Sequence, residues 1–189
     1  MIAIVIAIIL LLLIILIYTH LGIIYEGGKI LSPEEKFIKR KIPIMTSERL
    51  KIKQLTIDDL DDLNKLLLTE KDVIYDCNIT KEKLEYIKYF GAYLDNQLIA
   101  ASGFKMVSWG YKVPRFSNIG IVMNKDYRRQ GYMDEMQKTL LRYIKKHTGL
   151  REINMQIHKD NKASIEAAKK LGYELLFEKY DHYFMILKW

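Results

Sequence analysis

Residues 1–25 contain no Asp, Glu, Lys or Arg, and every side chain from Ile2 to Ile17 is Ile, Leu, Val or Ala. A run of this kind shows neither the 3.6-residue nor the two-residue alternation of a half-buried element. A helix rises about 1.5 Å per residue, so about 20 apolar residues cross the hydrocarbon of a bilayer. The run therefore predicts one transmembrane helix over residues 1–25, with Tyr18 and Tyr25 at the interface. A cleaved signal peptide needs a basic segment before the apolar run and a small-residue cleavage site after it, and neither is present. Lys29, Lys36, Lys39, Arg40 and Lys41 all follow the run, and no Lys or Arg precedes it. The positive-inside rule then places the C-terminal domain in the cytoplasm, giving a single-pass membrane protein. Residues 26–48 hold Gly27, Gly28, Pro33 and Pro43 and read as a tether, whose cations are available to anionic headgroups.

Residues 49–189 form the expected globular domain. Half of the chain is apolar and 28% is charged, a balance that supports a folded core rather than disorder. Of the net charge of +7, residues 26–48 contribute only +1, from five basic and four acidic side chains, which leaves +6 beyond them. A basic surface suits anionic lipid, nucleic acid or a phosphorylated ligand. No long basic run occurs, so nucleic acid is not an expected partner. Cys77 is the only cysteine, which excludes an internal disulfide and a cysteine-based metal site and reads as a small core residue. No metal is expected.

Arg49–Leu55 alternates and predicts a strand. Thr56 is placed to cap a helix from Ile57, with Leu60, Leu63, Leu66 and Leu67 at helical spacing. Thr80 is placed to cap a second helix carrying Leu84, Ile87 and Phe90. Gly91–Asp95 and Gln97–Val107 read as a hairpin turning at Asp95-Asn96, Ser108–Pro114 as a loop, and Arg115–Asn124 as a strand. Gly131 opens a helix to about His147, with Met133, Met136, Leu140, Tyr143 and Ile144 on one stripe. Arg151–Ile157 is a strand, Ser164–Leu171 a helix ended by Gly172, and Tyr173–Tyr180 and His182–Leu187 two closing strands.

The segment Ile119–Met133 carries the functional argument: a strand runs through Arg128, Arg129, Gln130 and Gly131 straight into a helix. A helix start leaves backbone N–H groups unpaired, and these together with the helix dipole favour an anionic phosphate. Gly131 lets the main chain approach a ligand without an intervening Cβ. A second segment, Asn161–Tyr173, follows after one more strand.

With these two segments in register, residues 49–189 resemble the GNAT superfamily of N-acetyltransferases. The family's coenzyme A loop, Arg/Gln-x-x-Gly-x-Gly/Ala, is matched from Arg128 to Met133 except at Met133, where the family has a small residue. Its later motif, Asn-x-x-Ala/Ser closed by Gly-Phe/Tyr, is matched by Asn161, Ser164, Gly172 and Tyr173. The wording QGYM and NKASI looks most like the ribosomal-protein and polyamine branches. The resemblance implies an α/β (α+β) fold with a mixed, mostly antiparallel sheet flanked by helices, here preceded by the transmembrane helix. It implies acetyl-CoA as co-substrate and a primary amine of a protein or small molecule as acceptor, which the predicted span would place at the cytoplasmic membrane face. It also implies that the backbone of Ile121, Val122 and Met123 binds pantetheine and the acetyl group. The backbone of Arg128, Arg129, Gln130, Gly131, Tyr132 and Met133 would hold the pyrophosphate, with Asn161 and Ser164 on the pantetheine arm.

The family's usual proton-transfer groups are missing. The position of its acid Tyr is Ala168, and Ser117 and Asn118 stand where a Glu often sits. No catalytic residue is therefore assigned. His158, Tyr180 and His182 are the available substitutes, and Tyr93, Trp109 and Tyr111 fall where substrate loops often lie. Two competing readings follow from the missing groups and the basic surface: a non-catalytic coenzyme A sensor, and a membrane adaptor.

Overall fold

A computed structural model of the chain describes residues 6–14, 25–26, 29–69, 78–108 and 114–189. Helical backbone over residues 6–14 (α1) is followed by a short pair, Tyr25–Glu26 (β1) and Lys29–Ile30 (β2). The expected membrane span is not upheld, because among the described residues no helix is long and apolar enough to cross a membrane. Residues 1–5 and 15–24 of that expectation lie outside the described residues. Among the described residues there is no span for the flanking cations to orient, so the single-pass localisation with a cytoplasmic domain loses its basis.

The segment read as a tether is also built into the domain. Ser32 caps the helix Pro33–Lys39 (α2): its Oγ accepts from Glu35 N at 3.2 Å and its N–H donates to Glu35 Oε2 at 2.8 Å. Phe37 on this helix is only 1% exposed, and Leu31, Ile42 and Met45 are buried as well. Met45–Thr46 (β3) then pairs with Lys51–Gln54 (β4) at the edge of the main sheet. Glycines and prolines suggest a linker, but they say nothing of the apolar side chains between them.

Thr56 opens a 3-10 turn, Ile57–Asp59, leading into Leu60–Leu68 (α3), whose Leu63, Leu66 and Leu67 are buried. The second expected helix is reduced to a 3-10 turn, Glu82–Glu85, and the chain enters a strand at Lys88 rather than Gly91. Leu84, Ile87 and Phe90 mimic a helical stripe, but Tyr89 and Phe90 pair across to Gly103 and Ser102, and aromatic residues fit a pleated surface well. Lys88–Leu94 (β5) and Gln97–Val107 (β6) turn at Asp95 and Asn96, with φ of +48° and +67°. Positive φ at both central residues matches the right-handed twist of a hairpin. Arg115–Met123 (β7), Tyr132–His147 (α4), Glu152–His158 (β8), Lys162–Lys170 (α5), Glu174–Lys179 (β9) and His182–Lys188 (β10) complete the order.

The main sheet has eight strands in the order β3-β4-β5-β6-β7-β8-β10-β9. Only β7 and β8 are parallel, so the sheet is mixed and mostly antiparallel. Alternate side chains feed two cores. Phe90, Ser102 and Met123 face α2, α4 and α5, whereas Tyr89, Ala101 and Val122 face α3.

One cation lies inside the first core. Lys88 is 3% exposed, and its Nζ donates to the Arg40 carbonyl at the end of α2 and to Gln54 Oε1 at 3.3 Å. Burial pulls its pKa down to about 8 from the ordinary 10.5. Between those values the unfolded chain binds a proton that the fold does not, so stability rises with pH there and the gain is lost as pH falls through 8. Lys88→Met is expected to flatten this rise. Melting temperatures of both chains below pH 8 and near pH 10 check it, and equal increments in the two chains would contradict it.

Candidate functional site

The parallel pair β7–β8 is joined at two positions only, Ser117↔Asn154 and Asn118↔Met155. Beyond them the strands run on to Met123 and His158 with no ladder between them. The cause is local. Gly103 of β6 pairs with Gly120 while Phe104 pairs with Asn118, so Ile119 is an extra residue in β7. Such a bulge bends its strand and sharpens the twist, which turns the end of β7 away from β8. Ile121, at 39% exposure, stands in the opening, while Val122 and Met123 are buried.

Main-chain direction in this stretch is fixed by one contact. Asn124 N donates to Ile99 O of β6 at 2.9 Å. Alternation along an antiparallel ladder then turns Val122 toward β6, and Ile121 and Met123 toward the opening. The carbonyl of Met123 is taken by Arg128, whose Nε and Nη2 each donate to it at 3.2 Å.

The loop that follows folds into a cradle. Asn124 Oδ1 accepts from Asp126 N at 3.0 Å and starts a 3-10 turn, Lys125–Tyr127. Arg129 and Gly131 both have left-handed backbones, with φ of +61° and +82°, and Gly131 caps α4. Left-handed residues alternating with ordinary ones point successive N–H groups into one concavity, a recurrent anion site. No backbone N–H from Arg129 to Asp134 finds a protein acceptor among the described residues. The first satisfied amide is that of Glu135, which donates to Gly131 O at 3.0 Å.

The cradle is braced from a distant part of the chain. Glu135 accepts from Ser47 Oγ at 2.7 Å, from Arg49 N at 2.8 Å and from Arg49 Nε at 2.8 Å. Arg49 also donates from Nη1 to Gln130 O at 3.0 Å, and its guanidinium lies 4.3 Å from the centre of the Tyr132 ring. Burial alone would raise the Glu135 carboxyl. The Arg49 amide, the Ser47 hydroxyl and the Arg49 guanidinium outweigh it and hold the group below the usual range. Sequence reasoning missed this brace, because Glu135 looks like any acid in a first helical turn and Arg49 is over eighty residues away.

The expected site residues fare differently as side chains. Arg129 is exposed and makes no contact with a carboxylate among the described residues, so its charge is available. Arg128 is partly spent on Met123, and Gln130 Nε2 donates to Asp126 O at 3.1 Å. Met133 is half-buried, with its sulfur 3.9 Å from Gln137 Nε2. Asn161 caps α5, its Oδ1 accepting from Ser164 N at 3.1 Å, so the helix starts slightly before the expected Ser164. Ala168 packs into the core and offers no hydroxyl. Asn118 is buried, donating to Ser102 Oγ at 3.1 Å and to Gln137 Oε1 at 3.3 Å, a neutral polar cluster rather than an acid.

His158 and His182 face each other across β8 and β10, with ring centres 5.1 Å apart. His158 Nδ1 accepts from Asp160 N at 3.2 Å, which places the neutral ring's proton on Nε2. Tyr180 is 83% exposed in the turn between β9 and β10. Tyr93 is tied down, its hydroxyl 3.2 Å from Asp59 Oδ1, while Trp109, Tyr111 and Cys77 lie outside the described residues.

A mixed sheet parted beside a helix start with unpaired amides defines an α/β protein with main-chain donors gathered at one end of its sheet. The comparisons make this specific. The family model described as "Acetyltransferase (GNAT) domain" matches residues 49–174, and the chain belongs to that family: it is a GNAT acetyltransferase. No curated protein matches it in sequence. Among solved structures it is similar to the PaiA N-acetyltransferase of Thermoplasma acidophilum in complex with coenzyme A. That likeness has 18% identity and a TM-score of 0.61, and covers 77% of this chain and 100% of that one. It is also similar to an acetyltransferase of Agrobacterium tumefaciens, at 14% identity and TM-score 0.64, covering 79% and 96%. A third is a Salmonella typhimurium enzyme that modifies the N-terminal serine of ribosomal protein L7/L12, at 16% identity and TM-score 0.60, covering 78% and 99%. At these identities the likeness speaks for the fold.

Proposed function

We propose that this enzyme moves an acetyl group from acetyl-coenzyme A to a primary amine of a protein or small molecule. The observation that carries the reading is the run of unpaired amides from Arg129 to Asp134, set where β7 parts from β8. A diphosphate fits that concavity: the donors are main-chain and already aimed, Gly131 adds no side chain, and Arg129 supplies charge. In this reading the backbone from Arg128 to Met133 holds the diphosphate, and the backbone of Ile121 and Met123 holds the pantetheine and acyl end, while the Val122 main chain stays paired with β6. Asn161 and Ser164 flank the arm, Asn161 through Nδ2 because its oxygen is committed to the cap. Met133 contributes its N–H, which the departure from a small residue leaves intact.

Acetyl-coenzyme A supplies the activated thioester. The chain supplies geometry. The N–H groups of Ile121 and Met123 face the opening, where donors fixed in advance stabilise charge growing on an acyl oxygen. Holding both reactants in line supplies much of the remaining rate. The amine attacks unprotonated, the C–S bond breaks as the tetrahedral intermediate expels the coenzyme A thiolate, and, with no side chain assigned as base, the proton shed by the nitrogen passes through water to that thiolate.

The test is thiol release by the full chain with acetyl-coenzyme A and a panel of spermidine, an aminoglycoside and peptide N-termini. Peptides belong in it because one structural neighbour acts on a protein N-terminus. Turnover on at least one class is expected. Tight coenzyme A binding with no turnover on any amine would favour the sensor instead.

A further inference from the structure

On the side of α4 away from its N-terminus lies an open cleft of about 340 Å³, where α4, the end of α5 and the end of β10 meet. Its floor is apolar, formed by Leu141, Leu171, Leu187 and Trp189. Its rim is cationic: Lys138, Arg142 and Lys145 line one side along a single α4 stripe, and Lys170 and Lys188 stand on the other. At about 1.5 Å per residue, the α4 stripe is about 10 Å long, and its far end is about 20 Å from Tyr132. The near end of the cleft adjoins the cradle through Asp134, which pairs with Lys138 and Lys170, and its far end, at Arg142, Lys145 and Lys188, lies apart from it.

Helix dipoles account for Lys145 and Lys170, which lie in last turns, but not for Lys138, Arg142 or Lys188. Nor is the charge neutralised within the fold. Asp134 takes Lys138 at 2.7 Å and Lys170 at 3.8 Å, at one end only. Glu152, opposite Lys188 on β8, is paired with Arg115 instead. Arg142, Lys145 and Lys188 have no carboxylate partner among the described residues.

We propose that this cleft docks an acidic protein segment carrying an apolar side chain between its carboxylates. The rim matches negative charge on both sides. The floor is mostly aliphatic, which suits a Leu or Phe side chain better than stacked bases, and it leaves an extended phosphate chain nothing to contact between the rims.

The experiment is fluorescence anisotropy of the full chain with a labelled peptide Ac-Glu-Glu-Leu-Glu-Glu-Phe-NH2. The double variant Arg142→Glu/Lys145→Glu is expected to bind at least about tenfold more weakly. Lys65→Glu/Lys81→Glu carries the same charge change on exposed positions outside the cleft, and is expected to bind within about twofold of the parent. An all-Glu peptide of equal charge is expected to bind more weakly than the probe. Equal losses in the two double variants, or equal binding of the all-Glu peptide, would overturn the proposal. So would tighter, Arg142- and Lys145-dependent binding of a single-stranded deoxythymidine oligonucleotide.

Discussion

Gly131→Val is expected to weaken coenzyme A binding by about 100-fold while leaving the domain folded. Gly131 sits at φ +82°, where a β-branched residue is strained by about 1–3 kcal/mol. Its new Cβ would also lie 3.4 Å from Arg49 Nη2, part of the guanidinium that holds the Gln130 carbonyl. The strain is relieved only by rotating the loop, and rotation scatters the amides from Arg129 to Asp134. A hydrogen bond to a charged group contributes about 1.5–3 kcal/mol, so losing two costs roughly 3 kcal/mol, or about two powers of ten in affinity. Gly149→Val is the matched control. It has φ +73°, no neighbour within 4 Å of a new Cβ, and a place just past the far end of α4. It should lower the melting temperature comparably and leave affinity alone. Titration calorimetry with coenzyme A distinguishes the two, and an unaltered Kd in Gly131→Val would move the diphosphate site elsewhere.

The cradle was legible in the sequence because its information is local. A strand, two arginines, Gln130 and Gly131, then a helix, fix where free amides fall whatever the rest of the chain does. The same locality explains α3, whose leucines keep helical spacing, and the Asp95-Asn96 hairpin. What was not legible depends on pairing across long separations. The bulge at Ile119 arises from β7 registering against β6 and leaves no mark in the composition of β7. The brace of Ser47, Arg49 and Glu135 joins segments that nothing in either one announces. The second helix failed for a related reason: Leu84, Ile87 and Phe90 fit a stripe, but the sheet recruited the chain from Lys88 onward. The membrane span rests on hydropathy alone, and among the described residues no helix is long and apolar enough to cross a membrane.

The segment ahead of the family match offers the other large effect, since a tether and a docked helix predict opposite outcomes. Phe37→Ala is expected to destabilise the domain by about 3–5 kcal/mol, the usual cost of deleting a fully buried aromatic side chain. Its ring centre lies 6.1 Å from Phe90, 6.1 Å from Phe104 and 5.2 Å from Phe116, so the lost volume cannot be refilled without moving three strands. Against a typical total of about 5–15 kcal/mol, that loss brings the domain near its unfolding threshold at ordinary temperature. Ile44→Ala, on an exposed side chain of the same segment, is expected to change stability little. Urea unfolding of the three chains separates the readings, because a free tether would leave all three midpoints together. A shift confined to Phe37→Ala would place α2 inside the cooperative unit. Phe116 stands on β7 just ahead of Asn118, where β7 is last joined to β8, so α2 also supports from beneath the strand on which the two sides of the site part.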